Sequence, residues 1–321
     1  MTDRESPLIS LFPGLATLPR ARFVDGPTPV EQSRAAPGLW VKRDDLSAAN
    51  LGGNKVRALE FLLGGLRAGD EVVTVGGRGS THALATALHA RALGVGASVF
   101  RWPQVMNPAA QAVDRMLRGA AHVHDAWTPV TAMVRAQVYR ALHAARWIPA
   151  GGTSPLGIIG HVDAALELAG QVAAGAMPAP TRVVLPLGTG GTAAGLVIGF
   201  SLAGLDTEVV GVQVVPRIVA NRWRVGRLVG RTCRFIAAAS GESVPSPGLR
   251  KFTVERGYFG GAYGRETPAG SSADACYRAA HAGAMLDATY RAKACAAAIA
   301  RCDAGVTLFW NTFDCRVLNA C

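Results

Sequence analysis

Apolar residues along the chain occur either in short unbroken runs or at helical spacing. The stretch "EVVTVGG" predicts a buried strand, "RGS" a turn, "THALATALHARALG" a helix that ends at glycine, and "ASVFRW" another strand. A similar unit follows the proline-rich joint "MPAPTR", with strand "VVLPLG", turn "TGGT", helix "AAGLVIGFSLAG" and strand "EVVGVQVV". Strands that alternate with helices predict an α/β fold with parallel sheets. Two separate units indicate two sheets.

Other segments fit the same pattern. "LWVKRDDL" predicts a short strand and an acidic turn, and "NKVRALEFLLGGLRAG" predicts a helix that stops at glycine. A strand near Ala121, a helix from Val130 to Ala145 and a long helix over "GIIGHVDAALELAGQVAAGAM" follow. Asp44 and Asp45 are adjacent and would point to opposite sides of a strand, so a turn or helix-cap role is expected for them.

Composition and charge narrow the class of protein. Half of the residues are hydrophobic and 17% are charged, which is typical of a folded chain. The net charge is +11, but the arginines are scattered and no nucleic-acid motif occurs, so nucleic acid is not the expected partner. Arg217, Arg224 and Arg231 recur every seven residues, which indicates a solvated helix face.

Membrane, metal and disulfide chemistry are not expected either. The uncharged run 183–205 is long enough to span a bilayer, but Pro186 and "GTGG" interrupt it. His122 and His124 share a strand face without a third ligand nearby, so they are expected to face solvent. The charged N-terminus does not resemble a secretory signal, and no cysteine stands in a CxxC pair. A cytoplasmic location is therefore expected for the protein, and its cysteines are expected to be free thiols. The six cysteines are Cys233, Cys276, Cys295, Cys302, Cys315 and Cys321.

Lysine is rare in this chain, which makes each lysine a candidate for chemistry that arginine cannot perform. Of the 33 basic residues, four are lysines: Lys42, Lys55, Lys251 and Lys293. A desolvated lysine can lose its proton and attack a carbonyl carbon, whereas arginine stays protonated. Lys55 follows "GGN" at the start of a predicted helix and is the candidate nucleophile. The alternative is a solvated lysine in a first helical turn.

Two glycine turns are candidate anion sites. "LPLGTGGTAAG" joins a strand to a helix, and its free N–H groups would bind a phosphate. Gly188, Gly190 and Ala193 also match the dinucleotide pattern G-x-G-x-x-A, but the next strand has its acid, Glu208, at the wrong end, so a nicotinamide cofactor fits poorly.

The second turn, "GGRGSTHALA", places Ser80, Thr81 and His82 at a helix start. Serine there is expected as an N-cap, but two hydroxyls and an imidazole beside free N–H groups would also hold a carboxylate. The turn is not a G-x-S-x-G nucleophile elbow. A lysine, a phosphate site and a carboxylate site together are what pyridoxal phosphate and an amino-acid substrate require.

Eight motifs carry a family resemblance: "VKRDDL", "GGNKVRALEFLL", "VGGRGSTHA", "IPAGGTSPLG", "LGTGGTAAGL", "GYFGGAYGRETPAG", "LDATYRAKA" and "LFWNT". In order and over nearly the whole chain, they resemble the D-cysteine desulfhydrase and 1-aminocyclopropane-1-carboxylate deaminase family. The resemblance implies a tryptophan-synthase-β-like fold (fold type II) and a homodimer. It also implies a small domain over residues 48–163, a large domain over 1–47 and 164–321, and pyridoxal phosphate in the cleft between them.

The resemblance also implies roles for individual residues. Lys55 would bond to the cofactor aldehyde, Asn54 would contact its phenolic oxygen, and Thr312 would face its ring nitrogen. The phosphate loop would comprise Gly188, Thr189, Gly190, Gly191 and Thr192. The implied catalytic residues are Lys55, Ser80, Tyr263 and Tyr290, and the implied substrate-binding residues are Ser80, Thr81, His82 and Arg291. No metal is expected.

The expected reaction is β-elimination of D-cysteine, a small amino acid, to pyruvate, ammonia and sulfide. Alternatives are ring-opening deamination of 1-aminocyclopropane-1-carboxylate, a related elimination, or a cofactor-binding protein with little turnover. Thr81 and Arg291 depart from the family pattern, as does the "NTFD" segment with Asn311, Phe313 and Asp314. These departures concern the substrate more than the cofactor.

Overall fold

The computed structural model describes residues 6–315, and these residues form ten strands in two sheets flanked by ten α-helices. The strands are β1 (Val30–Gln32), β2 (Leu39–Lys42), β3 (Glu71–Gly77), β4 (Gly96–Trp102), β5 (His122–Asp125), β6 (Arg146–Trp147), β7 (Arg182–Leu187), β8 (Glu208–Gln213), β9 (Phe252–Glu255) and β10 (Thr307–Trp310).

The helices connect these strands and cover the sheets. They are α1 (Pro7–Leu11), α2 (Asn54–Leu62), α3 (Thr81–Ala92), α4 (Pro108–Arg118), α5 (Pro129–His143), α6 (Pro155–Ala173), α7 (Gly191–Leu202), α8 (Arg222–Ser240), α9 (Pro268–Ala280) and α10 (Arg291–Ile299). Five of the ten begin at a side-chain cap followed by proline, as at α6, where the Ser154 hydroxyl accepts a hydrogen bond from the Gly157 N–H.

The larger sheet has six strands in the order β1-β2-β10-β7-β8-β9. All its neighbours are parallel except β1, which pairs antiparallel with β2. Strand β10, near the end of the chain, lies between β2 and β7. The residue after β10 therefore emerges beside the end of β2 and close to the start of α2.

The smaller sheet has four parallel strands in the order β5-β4-β3-β6. The prediction of an α/β fold with two largely parallel sheets is thus confirmed. The domain boundaries stay a prediction, since α6 continues through residue 163 and packs against both α2 and α7.

Small residues let helices α2, α6 and α7 approach one another closely. A Cβ on Gly160 of α6 would lie 2.0 Å from the Arg57 carbonyl oxygen of α2, and a Cβ on Gly195 of α7 would lie 2.3 Å from the His161 Cβ. Both glycines exclude a side chain where backbones meet. This contact brings the start of α2, with Lys55, beside the start of α7.

A buried charge cluster lies beneath α2. The Arg57 guanidinium pairs with Asp44 (Nη2–Oδ1 2.7 Å) and with Glu167 (Nη2–Oε1 3.0 Å). Lys42 pairs with the same Glu167 oxygen at 2.6 Å. Asp44 and Asp45 form the predicted turn, a 3-10 turn over Asp44–Leu46, but the Asp44 carboxylate also accepts a hydrogen bond from Trp310 Nε1 at 2.8 Å. The cluster ties α2 to both β2 and α6.

The remaining sequence predictions concern the surface. Arg224 and Arg231 lie exposed on α8, whereas Arg217 lies before the helix begins. His122 is exposed, while the His124 ring stacks on Phe100 with centroids 4.4 Å apart.

Neither a metal site nor a membrane span is found in the part of the chain that the structure describes. No three metal-ligating side chains converge within residues 6–315, and none of the helices there has the length and apolar content to cross a bilayer. The thiols of the five cysteines in this range are free, and Cys321 lies outside the described residues.

Candidate active site

Lys55 lies in the first turn of α2, and the segment after β10 fixes the backbone of that turn. Gly53 forms an isolated bridge with Phe313, and the Asn54 N–H donates to the Thr312 carbonyl oxygen at 3.1 Å. Gly53 has a φ of +129°, and a Cβ there would lie 2.5 Å from the Thr312 oxygen, so only glycine fits. Lys55 and Thr312 are thereby brought together from opposite ends of the chain.

Asn54 connects this turn to the loop 188–192, which is the predicted phosphate loop and is called the phosphate-type loop below. Its side-chain Nδ2 donates to the Thr192 hydroxyl at 2.7 Å, across 138 residues of sequence. Asn54 and Thr192 are both buried. Three of the predicted cofactor-binding residues, Asn54, Thr192 and Thr312, are therefore hydrogen-bonded in series.

The loop before α7 presents unsatisfied donors. Gly190 begins α7 with a φ of +92°, and no side chain of the described residues caps the helix. The threonine hydroxyls of Thr153 and Thr189 lie 2.5 Å apart beside the loop, and a Cβ added at Gly188 would meet nothing within 4 Å. Uncapped N–H groups, a helix dipole and nearby hydroxyls are the features that bind anions in proteins, and the role of this loop in binding phosphate stays a prediction.

The Lys55 amine is set up to lose its proton. The side chain is only partly exposed, and desolvation by burial lowers its pKa to about 8. No carboxylate among residues 6–315 forms an ion pair with it. A lysine in this state is a nucleophile near neutral pH.

The predicted carboxylate site lies at the start of α3. The Ser80 hydroxyl accepts a hydrogen bond from the Ala83 N–H at 3.3 Å, which is the expected cap. His82 is buried, with Nε2 3.1 Å from the Thr74 hydroxyl. Burial, followed by the charge of Lys55, lowers the pKa of His82 to about 3, so the imidazole is neutral. The charge of Lys55 therefore acts on His82 in the same direction as burial.

The two predicted tyrosines face each other. Their hydroxyl groups are hydrogen-bonded, and the rings meet edge to face with centroids 5.7 Å apart. Burial raises the pKa of Tyr263 to about 12 and also raises that of Tyr290. The Thr81 side chain acts on Tyr290 in the opposite direction and opposes the rise in its pKa. The pair is therefore protonated and lies beside the carboxylate site.

Arg291 is a predicted substrate-binding residue, but its guanidinium is hydrogen-bonded to other groups of the protein. Its guanidinium donates to Asp287 Oδ2 at 2.9 Å and to Asn311 Oδ1 at 2.8 Å. It also donates to the Met285 carbonyl at 2.8 Å and contacts the Cys315 thiol. These bonds join α10 to the segment after β10, so the geometry assigns Arg291 a bracing contact with the wall of the site. A contact with substrate stays a prediction.

Comparison with known proteins identifies the family. A family model described as pyridoxal-phosphate dependent enzyme matches residues 22–307. This chain is a pyridoxal-phosphate-dependent enzyme. Among its curated relatives, nocardicin C-9' epimerase of Nocardia uniformis is 38% identical and aligns over 83% of this chain and 84% of that protein. D-cysteine desulfhydrase of Yersinia pestis is 31% identical over 81% of each chain.

The solved structures give the same fold. The crystal structure of an ACC deaminase homologue has a TM-score of 0.77 and 26% sequence identity, and the alignment covers 97% of this chain and 95% of that one. This pyridoxal-phosphate enzyme thus has fold type II, as the motifs implied.

The residues present fit the cofactor. Pyridoxal phosphate carries an aldehyde and a phosphate, and the site offers an amine of lowered pKa and an uncapped, glycine-rich helix start connected through Asn54. Lys55 would hold the aldehyde carbon, the loop 188–192 would hold the phosphate, and Thr312 would lie at the end of the ring nearest β10. These individual roles remain predictions.

Sequence reasoning missed two polar residues near the site. His161 of α6 is 2% exposed, its Nδ1 has no partner among the described residues, and burial together with the charge of Lys55 lowers its pKa. Asn107 links α4 to the segments that carry the tyrosines. The "NP" at 107–108 is readable as a cap followed by proline at a helix start, but nothing in the sequence gives its distant partners.

Proposed function

We propose that this enzyme removes the α-proton of a small amino acid bound to pyridoxal phosphate, and that β-elimination of D-cysteine is its principal reaction. The observation that carries the proposal is the convergence on Lys55. Its neighbour Asn54 is bonded both to Thr192 of the phosphate-type loop and to Thr312. These bonds support the proposal, because they connect the turn of Lys55 with the loop proposed to hold the phosphate and with Thr312, which is proposed to face the ring nitrogen.

When bound, the cofactor would withdraw electrons from the α-carbon and so make its proton removable. Lys55 takes that proton, because its lowered pKa provides a neutral amine near neutral pH. Ser80, Thr81 and the neutral His82 orient the substrate carboxylate at the start of α3. Net elimination consumes one water and converts D-cysteine to pyruvate, ammonia and sulfide.

Tyr263 and Tyr290 act beside the leaving group. Burial keeps both hydroxyls protonated, so the pair can donate a hydrogen bond to the departing sulfur. Thr312 is neutral and would not keep the ring nitrogen protonated as an aspartate would. This favours expulsion of a β-substituent over transamination.

A second candidate is epimerisation at the same carbon, which the similarity to nocardicin C-9' epimerase favours. Epimerisation shares the first proton transfer and then requires a proton on the opposite face of the substrate. The protonated tyrosine pair is the donor available for that step. Ring opening of 1-aminocyclopropane-1-carboxylate differs from both, since that substrate has no α-proton.

The test is a panel of small D- and L-amino acids, including 1-aminocyclopropane-1-carboxylate, incubated with the holoenzyme in D2O. Proton NMR measures loss of the α-proton signal, and separate assays measure keto acid, sulfide and the handedness of recovered substrate. D-cysteine is expected to give sulfide and pyruvate in equal amounts. Lys55→Ala is the control and is expected to abolish both.

The other outcomes assign the alternatives. Exchange of the α-proton with inversion and without keto acid would establish epimerisation, and 2-oxobutyrate from the cyclopropane substrate would establish ring opening. Cofactor binding with neither exchange nor product on any substrate would contradict the proposal and leave a binding protein.

A further inference from the structure

Asn107 precedes the first residue of α4, and the oxygen and the nitrogen of its side-chain amide bond to different parts of the protein. Its Oδ1 accepts a hydrogen bond from the Ala110 N–H at 2.8 Å, which caps the helix. Its Nδ2 is free of that role. The residue is 7% exposed, so both ends of the amide need partners inside the protein.

The Nδ2 group bonds to the two segments that carry the active-site tyrosines. It donates to the Gly264 carbonyl oxygen at 3.2 Å and to the Thr289 hydroxyl at 2.9 Å. Gly264 directly follows Tyr263, and Thr289 directly precedes Tyr290. One amide from the chain after β4 therefore holds both tyrosine segments, which lie 157 and 182 residues away in sequence.

Close backbone packing supports the same contact. Gly264 has a φ of +79°, and a Cβ there would lie 2.8 Å from the Val105 carbonyl oxygen. The Gln104 side chain also acts on Tyr263, since it opposes the rise in the pKa of that hydroxyl. Val105 and Asn107 thus both contact Gly264, the residue that follows Tyr263.

We infer that Asn107 is a positioning residue: its amide joins the start of α4 to both tyrosine segments and sets the distance of the Tyr263–Tyr290 pair from the proposed substrate site at the start of α3. The inference rests on the proposed function insofar as it gives the tyrosines a part in the reaction. Without the amide donor, the two segments lose their shared partner and the pair is no longer held against Thr81. Cofactor attachment is expected to be unaffected, because the side chain of Asn107 is hydrogen-bonded to Ala110, Gly264 and Thr289 and not to the turn of Lys55.

The experiment compares Asn107→Ser with Asn107→Ala. Serine retains the helix cap but is too short to reach Gly264 and Thr289, whereas alanine loses cap and bridge together. Both variants are expected to lose about tenfold in kcat/KM, as the loss of two neutral hydrogen bonds implies. The cofactor absorption band should stay unchanged. Asn221→Ser, which alters the asparagine cap of α8, is the matched control and should keep full activity.

Hydrogen exchange measured by mass spectrometry gives a readout independent of activity. Peptides covering 258–266 and 285–291 are expected to exchange about tenfold faster in both variants, while peptide 108–118 exchanges faster in Asn107→Ala alone. Wild-type exchange in the tyrosine peptides of Asn107→Ser would overturn the inference. An inactive wild-type protein would contradict the proposed function instead, and the exchange comparison would still decide the role of Asn107.

Discussion

Lys42 and Lys55 lie thirteen positions apart, and burial lowers the pKa of both amines to about 8. They differ in the groups that surround the amine. Lys42 belongs to the buried charge cluster beneath α2. Its ammonium has three acceptors, namely Glu167 Oε1 at 2.6 Å, Gln171 Oε1 at 2.7 Å and the Thr28 carbonyl at 2.7 Å. Lys55 lies in the first turn of α2, and the lowering of its pKa has a single cause, desolvation.

The comparison shows that a lowered pKa does not by itself identify a reactive lysine. Burial acts on both amines, but three acceptors already take up the ammonium of Lys42. Lys55 has no ion pair among residues 6–315, and its neighbour Asn54 is hydrogen-bonded to the loop before α7. Lys293 resembles Lys42, since its Nζ donates a hydrogen bond to the Phe259 carbonyl oxygen at 2.8 Å. The partners of an amine, more than its pKa, separate structural from catalytic lysines.

Replacing Lys42 should show that its role is structural. Lys42→Met removes one donor each from the Thr28 carbonyl, the Gln171 side-chain oxygen and Glu167 Oε1. Gln171 still donates to the Thr28 carbonyl, and Arg57 still pairs with Glu167. Breaking a buried pair in this way should lower the free energy of unfolding by about 3 kcal/mol. Denaturant titration measures the loss, and the cofactor band should persist at the wild-type position.

The control for that experiment is Lys251→Met. Lys251 is exposed and pairs with an exposed carboxylate, Asp206, at 2.9 Å. Such surface pairs contribute little, so the change should stay within about 0.5 kcal/mol. Equal effects of the two substitutions would mean that the Lys42 cluster does not stabilise α2.

The pH dependence of cofactor attachment should reflect the pKa of Lys55. Only the neutral amine attacks the aldehyde, and the neutral fraction grows as pH rises through the pKa. With a pKa of about 8, stopped-flow absorbance of apoprotein mixed with pyridoxal phosphate should show a rate that rises about fiftyfold from pH 6 to pH 8 and then levels off. A rate that continues to climb towards pH 10.5 would mean that burial does not shift this amine.

The smallest effect is expected at the bond that links the lysine turn to the phosphate-type loop. Asn54→Ala removes the 2.7 Å bond to Thr192 without touching Lys55. The dissociation constant of pyridoxal phosphate, measured by absorbance titration, should rise about tenfold. An unchanged dissociation constant would mean that the bond between Asn54 and this loop does not contribute to cofactor binding.

The sequence predicted the elements that have strong local patterns. The strand–glycine turn–helix units at β3–α3 and β7–α7 were found within a few residues of their expected bounds. The short strands β1 and β6 have two or three residues and too little pattern to be predicted. Local signals could place Ser80 at a helix cap because the cap and its partner are three residues apart.

Long-range partners were the part that sequence could not give. Asn54 meets Thr192, and Arg57 meets Glu167, only because α2, α6 and α7 pack together through glycines. The contacts of Asn107 and Arg291 likewise depend on how distant segments converge. For the site residues, the family resemblance supplied expectations that periodicity alone could not.

Borohydride reduction of the protein loaded with pyridoxal phosphate, followed by peptide mass mapping, tests whether Lys55 carries the cofactor. We expect a visible absorption band that reduction abolishes and a single modified peptide with the adduct on Lys55. A protein without the band, or an adduct spread over Lys42, Lys251 and Lys293, would contradict this role of Lys55.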